Sequence, residues 1–247
     1  MAGVKYRGMD PRTKLVRFGL PAIGIGIILG GTLPGVISGM STVLAASPSS
    51  LPWLFERLFA FMAYIAVTLS VVYGLLLSTK LLDAIAHRPV NFSLHQDLAA
   101  FGLGLAGIHG VLLGLDATMP FSITQMVVPG AAPYSPLAVG VGQVAFYVMA
   151  LVTASFYARR RIGQRAWRAL HYLTFLAFAG STVHGIAAGT DSSAGWAQWL
   201  YLGSMTVVAF LLTYRIGISM VARAEARQRG REREMVPLGR TGMGRAA

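Results

Sequence analysis

The chain contains no cysteine. Disulfides, thiolate zinc sites, iron–sulfur clusters and thioether-attached haem are therefore excluded together. Charge is scarce as well: 12% of the 247 residues are Asp, Glu, Lys or Arg, where a soluble domain carries roughly 25%. So few charges do not cover a water-exposed surface. Hydrophobic residues, by contrast, reach 55%, and the mean hydropathy is +0.60. Acidic side chains are the scarcer of the two signs, 9 against 21 Lys and Arg, for a net charge of +12. Such a balance on a soluble surface would point to nucleic acid. Here the cations sit at the ends of long apolar blocks, so they report topology, and no nucleic-acid partner is expected. The composition is that of an integral membrane protein.

A hydrocarbon core needs about 20 helical residues to cross it. Six blocks are long enough, over residues 18–44, 54–77, 94–115, 137–158, 170–188 and 196–218. The expected fold is all-α: a polytopic membrane protein with six transmembrane helices forming one domain over residues 18–218. A basic N-terminus (1–17) precedes it, and a basic tail (219–247), amphipathic or partly disordered, follows it. Between the third and fourth blocks, residues 119–136 hold Pro120, Pro129, Gly130, Pro133 and Pro136 with no charge. They read as an apolar loop on the membrane surface or capping the bundle. The first block, rich in glycine with Pro21 and Pro34, competes with a signal-peptide reading. Its apolar run of about 25 residues exceeds the usual 7–15, and a retained, kinked helix is expected.

Every Lys and Arg except Arg57 falls on one side of this arrangement: the N-terminus, the stretch from Lys80 to Arg88, Arg159 to Arg168, and Arg215 onward. The positive-inside rule then puts both termini in the cytoplasm of a multi-pass cell-membrane (inner-membrane) protein. The basic run of Arg159, Arg160 and Arg161 and the basic tail read as orientation signals and contacts with anionic membrane lipids.

Ionisable groups inside membrane spans are costly and mark function. Of five histidines, His87 sits in a cytoplasmic loop. The other four form two pairs, His95 and His109 in the third span and His171 and His184 in the fifth. His95 and His109 are 14 residues apart, about four turns, which leaves them on one face and about 21 Å apart. His171 and His184 are 13 apart, a rise of about 19.5 Å. The two spans run in the same direction, so His95 matches His171 in depth near the inner leaflet and His109 matches His184 near the outer. Two stacked imidazole pairs are what two bis-histidine haems require. A separation of about 20 Å along each helix excludes one shared zinc or copper centre. Ala99, Gly102 and Ala106 form a small-residue stripe beside His95 on which a flat porphyrin would rest, and Gly102 is a cofactor-binding candidate. Close helix packing is the alternative explanation of the stripe.

Thirteen residues give about 220° of rotation in a straight helix, so His171 and His184 would face different sides. Either the fifth span is overwound or bent near Gly180, or the two haems approach from different azimuths. Asp97, Thr174 and Ser181 are the nearby acceptors for the second imidazole nitrogens. Haem propionates prefer cations near the interface. Arg57 is the outer candidate, with a plain pair to Glu56 as its alternative, and Lys80, Arg88, Arg165 and Arg168 are the inner ones. Trp196 and Trp199 read as an aromatic belt.

These residues resemble the ferric reductase-like transmembrane domain family, which includes ferric reductases, NADPH oxidases and bacterial haem-binding electron-transfer subunits. The family pattern is a six-helix bundle with one histidine pair separated by thirteen residues in the third helix and another separated by twelve in the fifth. The runs His95-Gln-Asp-Leu to Gly-Ile-His109-Gly and His171-Tyr-Leu to Thr-Val-His184-Gly keep that spacing, and the likeness covers residues 54–218. It implies two haem b groups, an inner one on His95 and His171 and an outer one on His109 and His184. It also implies oxidoreductase electron transport from a cytoplasmic-side or quinol donor to an exterior acceptor. Family oxidases carry a further histidine four residues after the outer third-helix ligand. Leu113 stands there, which argues against superoxide production. No flavin or nicotinamide domain follows the last span, so the expected partner is a separate flavoprotein, an exported reductase or a quinone. The competing readings are a dihaem quinone-reactive anchor of a respiratory complex and a non-redox membrane transporter.

Overall fold

The computed structural model describes residues 34, 51–82, 87–115 and 120–235. The expected first span, the N-terminal cations, Asp116, Met119 and residues 236–247 lie outside the described residues. All regular structure among the described residues is helical: α1 (Leu51–Ser78), α2 (Arg88–Leu113), α3 (Ile123–Val127), α4 (Pro136–Ile162), α5 (Gln164–His171), α6 (Leu173–Ala188) and α7 (Gly195–Met235).

Local chemistry sets the boundaries. Helices α2 and α4 begin with proline in the first turn, where its missing N–H costs nothing. Helix α3 carries a capping box, in which Ser122 accepts from the Gln125 N–H and the Gln125 side chain accepts from the Ser122 N–H. Gly163, at φ 81°, ends α4 and leads directly into α5. Its left-handed backbone is one that side chains disfavour.

Among the described residues four helices are long and apolar enough to cross a membrane: Leu54–Ser78, Arg88–Leu113, Pro136–Ile162 and Gly195–Glu232. The block expected at residues 170–188 is divided. A break at Tyr172 leaves α6 with 16 residues, about 24 Å against a hydrocarbon thickness of about 30 Å. The loop at residues 119–136, as far as it is described, caps the bundle. Phe121, Ala132 and Val139 are buried with Leu113, Met126 and Ala188 packed against them, and the Gln143 amide donates to the carbonyls of Gln125 and Met126.

Helix α1 packs chiefly on α2, α4 on α6, and α7 on α1. The main core joins α1, α6 and α7 through Tyr64, Val67, Leu75, Phe178, Tyr201 and Leu211. Trp196 belongs to this core, edge-on to Phe61 at 4.5 Å. It is therefore a packing residue, unlike the half-exposed Trp199. The outward faces of α2, α4 and α6 show Val111, Leu137, Leu151 and Leu176, as lipid-facing surfaces do. The basic extension continues as helix to Met235.

Candidate functional site

Helix α2 carries His95 near its start and His109 near its end, and both lie against α1. The His95 Nδ1 atom is 3.0 Å from the Ser70 carbonyl oxygen, and His109 Nδ1 is 3.2 Å from that of Glu56. On the α6 side, His184 Nδ1 is 2.9 Å from the carbonyl oxygen of Ala138 in α4. A carbonyl only accepts, so Nδ1 must be the protonated nitrogen in all three rings. Nε2 is then left as the lone-pair atom, the arrangement typical of metal-ligating histidine. These three partners stand where Asp97, Thr174 and Ser181 had been expected. Those side chains make other bonds: Asp97 accepts from Ser93, while Thr174 donates to the carbonyl of His171 across the break and Ser181 to that of Ala177.

The fold brings His95 to His171, with ring centroids 6.0 Å apart and planes at 78°. It brings His109 to His184 at 6.3 Å and 67°. Two imidazoles that share one metal through Nε2, at about 2.0–2.1 Å each, hold their centroids roughly 6.4 Å apart, with the planes free to rotate about the common axis. Both pairs match this spacing within a few tenths of an ångström. The spacing puzzle of the fifth span has a local cause. Gly180 lies within a continuous α6 and packs on Ala145 of α4, whereas the irregularity is at Tyr172. Tyr172 donates to Ala169 and Phe175 donates to Tyr172. These i to i−3 bonds wind the chain by about 120° per residue in place of 100°, which turns His171 toward the face of His184.

Glycines let two of the rings sit directly on neighbouring backbone. A Cβ at Gly142 of α4 would come within 2.5 Å of His184 Cγ, and one at Gly74 of α1 would be 3.0 Å from His95 Cε1. Gly102 has a different role. It is buried against Val67 and Ala66 of α1, so it is a helix contact, and its lack of a side chain serves close packing. Likewise Gly185 abuts Tyr201. Of the stripe residues expected under a porphyrin, Ala106 lines a cavity, as do Gly107, Gly110 and Gly185.

That cavity, of about 690 Å³, surrounds the second pair. Its walls include Glu56, Tyr64, His109, Gln143 and His184, together with the underside of the α3 loop, and the size is in the range of cofactor sites. Arg57 is at its edge, where its Nε lies 2.6 Å from Asp191 Oδ2 and a second nitrogen contacts Oδ1. The partner of Arg57 is thus Asp191, 134 residues away, and Glu56 instead places Oε1 3.1 Å from His109 Nδ1.

Around the first pair, Trp167 stacks on His171 at 5.2 Å and 29°. Its buried Nε1–H has no hydrogen-bond partner among the described residues. A buried donor without an acceptor costs about 1–3 kcal/mol, and a ligand carboxylate beside His171 would satisfy it. Lys80, Arg88, Arg165 and Arg168 are all exposed, while Arg215 lies over the Tyr172 ring at 5.7 Å. Among the described residues no three His, Asp or Glu converge as a metal-ion site. Gly142, Gly74 and Trp167 had no role assigned from the sequence, and Glu56 had one only beside Arg57. Glu56 and Gly142 show themselves only through contacts between distant segments.

No curated protein and no solved structure matches the chain. Residues 51–191, more than half of the chain and including all four paired histidines, match the domain of unknown function DUF8596, and the protein belongs to that family.

Proposed function

We propose that the protein carries electrons across a membrane through two haem b groups, one held by His95 and His171 and the other by His109 and His184. When bound, each group would supply one-electron chemistry at an iron whose two axial positions are filled, which favours electron transfer over ligand binding. The observation that carries this reading is the pairing itself: ring centroids 6.0 and 6.3 Å apart on helices that hold the two pairs about 20 Å apart in depth. The Ser70, Glu56 and Ala138 carbonyls hold their histidines in the tautomer that offers Nε2. The apolar loop around α3 shields the second pair from water. Trp167 offers its N–H beside the first pair, and Arg57 stands at the edge of the second.

The histidine spacing also supports kinship with the six-helix bundle of ferric reductase-like transmembrane domains. The cations gathered at the His95 and His171 end support a cytoplasmic position for that end and for both termini. A flavoprotein or other donor would then meet the first pair, and an exterior acceptor the second. The purified protein should hold two haems per chain and show a Soret band and an α-band that sharpens with dithionite. A colourless protein from cells grown with ample haem overturns the reading.

One observation favours a second reading, a quinone-reactive site at the second pair, where quinol would enter at the end that the first reading gives to the acceptor. Gln143 holds its amide N–H on two loop carbonyls, and its buried Oε1, at the wall of the cavity, has no partner among the described residues. A quinol hydroxyl would supply the missing donor. Quinone analogues should then slow reduction by quinol, and Gln143→Leu should weaken that inhibition. Reduction unaffected by such analogues removes this second reading.

A further inference from the structure

The two histidine pairs differ in the charge beside them. His95 Nδ1 meets uncharged oxygens of Ser70, the carbonyl at 3.0 Å and the hydroxyl at 3.4 Å. His184 meets the Ala138 carbonyl at 2.9 Å. Among the described residues His109 alone has a carboxylate beside it: Glu56 Oε1 stands 3.1 Å from the same Nδ1 that donates to the Glu56 carbonyl at 3.2 Å. Both side chains are largely shielded, with 19% of His109 and 15% of Glu56 exposed, so water screens the contact little.

A carboxylate on the far nitrogen raises the basicity of the ligating one and fixes the ring's orientation. A more basic imidazole stabilises the oxidised metal relative to the reduced one, because the higher charge gains more from a stronger donor. We infer that Glu56 is the positioning residue that sets the His109–His184 site apart from the His95–His171 site: it holds the potential of the outer site below the value that a neutral partner would give. This rests on the proposal that His109 is an axial ligand. The functional consequence is a more strongly reducing exit on the side that faces the acceptor.

The test is a redox titration of the full-length purified protein, following the α-band of both haems. His109→Ala removes one component and thereby identifies the outer one. Glu56→Gln keeps an acceptor oxygen at nearly the same place without the charge. It should retain two haems per chain, raise the midpoint of the outer component and leave the inner midpoint unmoved. Glu56→Asp, with the charge on a shorter arm, should fall between wild type and Glu56→Gln. Two unmoved midpoints in Glu56→Gln, or movement of the component that survives His109→Ala, overturn the inference while the dihaem proposal stands. Should Glu56→Gln lose the outer haem, a Glu56→Asp midpoint equal to wild type overturns it. A wild-type protein without haem fells the underlying proposal, and this one with it.

Discussion

Gly142 of α4 lies directly beneath the ring of His184, so closely that a single methyl group there would stand 2.5 Å from Cγ. No flexible side chain occupies the contact that could yield; the imidazole itself would have to move, and with it the bond from Nδ1 to the Ala138 carbonyl. Gly142→Ala should therefore displace His184 without touching the first pair. About half of the bound haem should be lost, with the remaining component spectrally unchanged. Gly104→Ala, at a position with nothing within 4 Å, is the matched control and should bind two. Equal haem contents in the two variants would show that His184 does not need its observed place.

The pairing of the rings makes a sharper statement about the histidines themselves. If His95 works with His171 and His109 with His184, the variants fall into two classes. His95→Ala and His171→Ala should lose the same haem component, and His109→Ala and His184→Ala the other. A double variant within one pair should be no worse than its singles, whereas a double across pairs should lose both. Optical spectra with pyridine haemochrome quantification read this directly. A non-additive loss across pairs would mean that the two sites are one.

Trp167 separates a ligand-binding role from a packing role. Phenylalanine keeps the stacking on His171 and removes the buried, unpartnered N–H. In protein without cofactor the substitution should be neutral or stabilising by about 1 kcal/mol, since an unsatisfied donor disappears. In loaded protein it should weaken retention of the inner haem. Thermal unfolding of the two forms, followed with and without haem, gives opposite signs if the N–H serves a carboxylate and the same sign if it serves only packing.

Arg57 and Asp191 tie the start of α1 to the turn between α6 and α7. The side chains are 13% and 16% exposed, so removing Asp191 takes a charged partner from a largely buried guanidinium. Asp191→Ala should cost about 3 kcal/mol, toward the range for breaking a buried pair. The reversal Arg57→Asp with Asp191→Arg should recover part of that loss. Unfolding midpoints in detergent measure both. An Asp191→Ala protein as stable as wild type would mean that this ion pair does not brace the fold.

How much of this was legible in the sequence depends on the distance over which each feature is set. The histidine pairs, the long apolar helices and the capping loop follow from composition and spacing within single segments, and each is visible one segment at a time. The bond of Glu56 to His109 spans 53 residues and that of Arg57 to Asp191 spans 134. Neither leaves a local pattern, which is why Arg57 was weighed only as a propionate partner or as a pair to its neighbour Glu56. The break at Tyr172 has no proline or glycine to announce it, so residue type offered only Gly180 as a bend, with two haem azimuths as the alternative. Gly102 shows the same limit from the other side. A small residue on the histidine face of a helix reads equally well as a floor for a porphyrin or as a seat for another helix, and only the position of Val67 distinguishes them.

Helix α7 has 41 residues, about 61 Å of rod for a hydrocarbon slab about half as thick. Its beginning is pinned, since Trp196, Ala197 and Tyr201 are buried in the bundle, so the surplus emerges entirely at the arginine-rich end. Out there the side chains from Ile216 to Glu232 are exposed, and the i, i+4 contact of Arg229 with Glu225 at 3.3 Å contributes a few tenths of a kcal/mol. Such a mast borrows its stiffness from its footing. Backbone protection should fade steadily from Leu211 toward the tip, and anything that grasps the tip pulls on the same aromatic cluster that walls the second histidine pair.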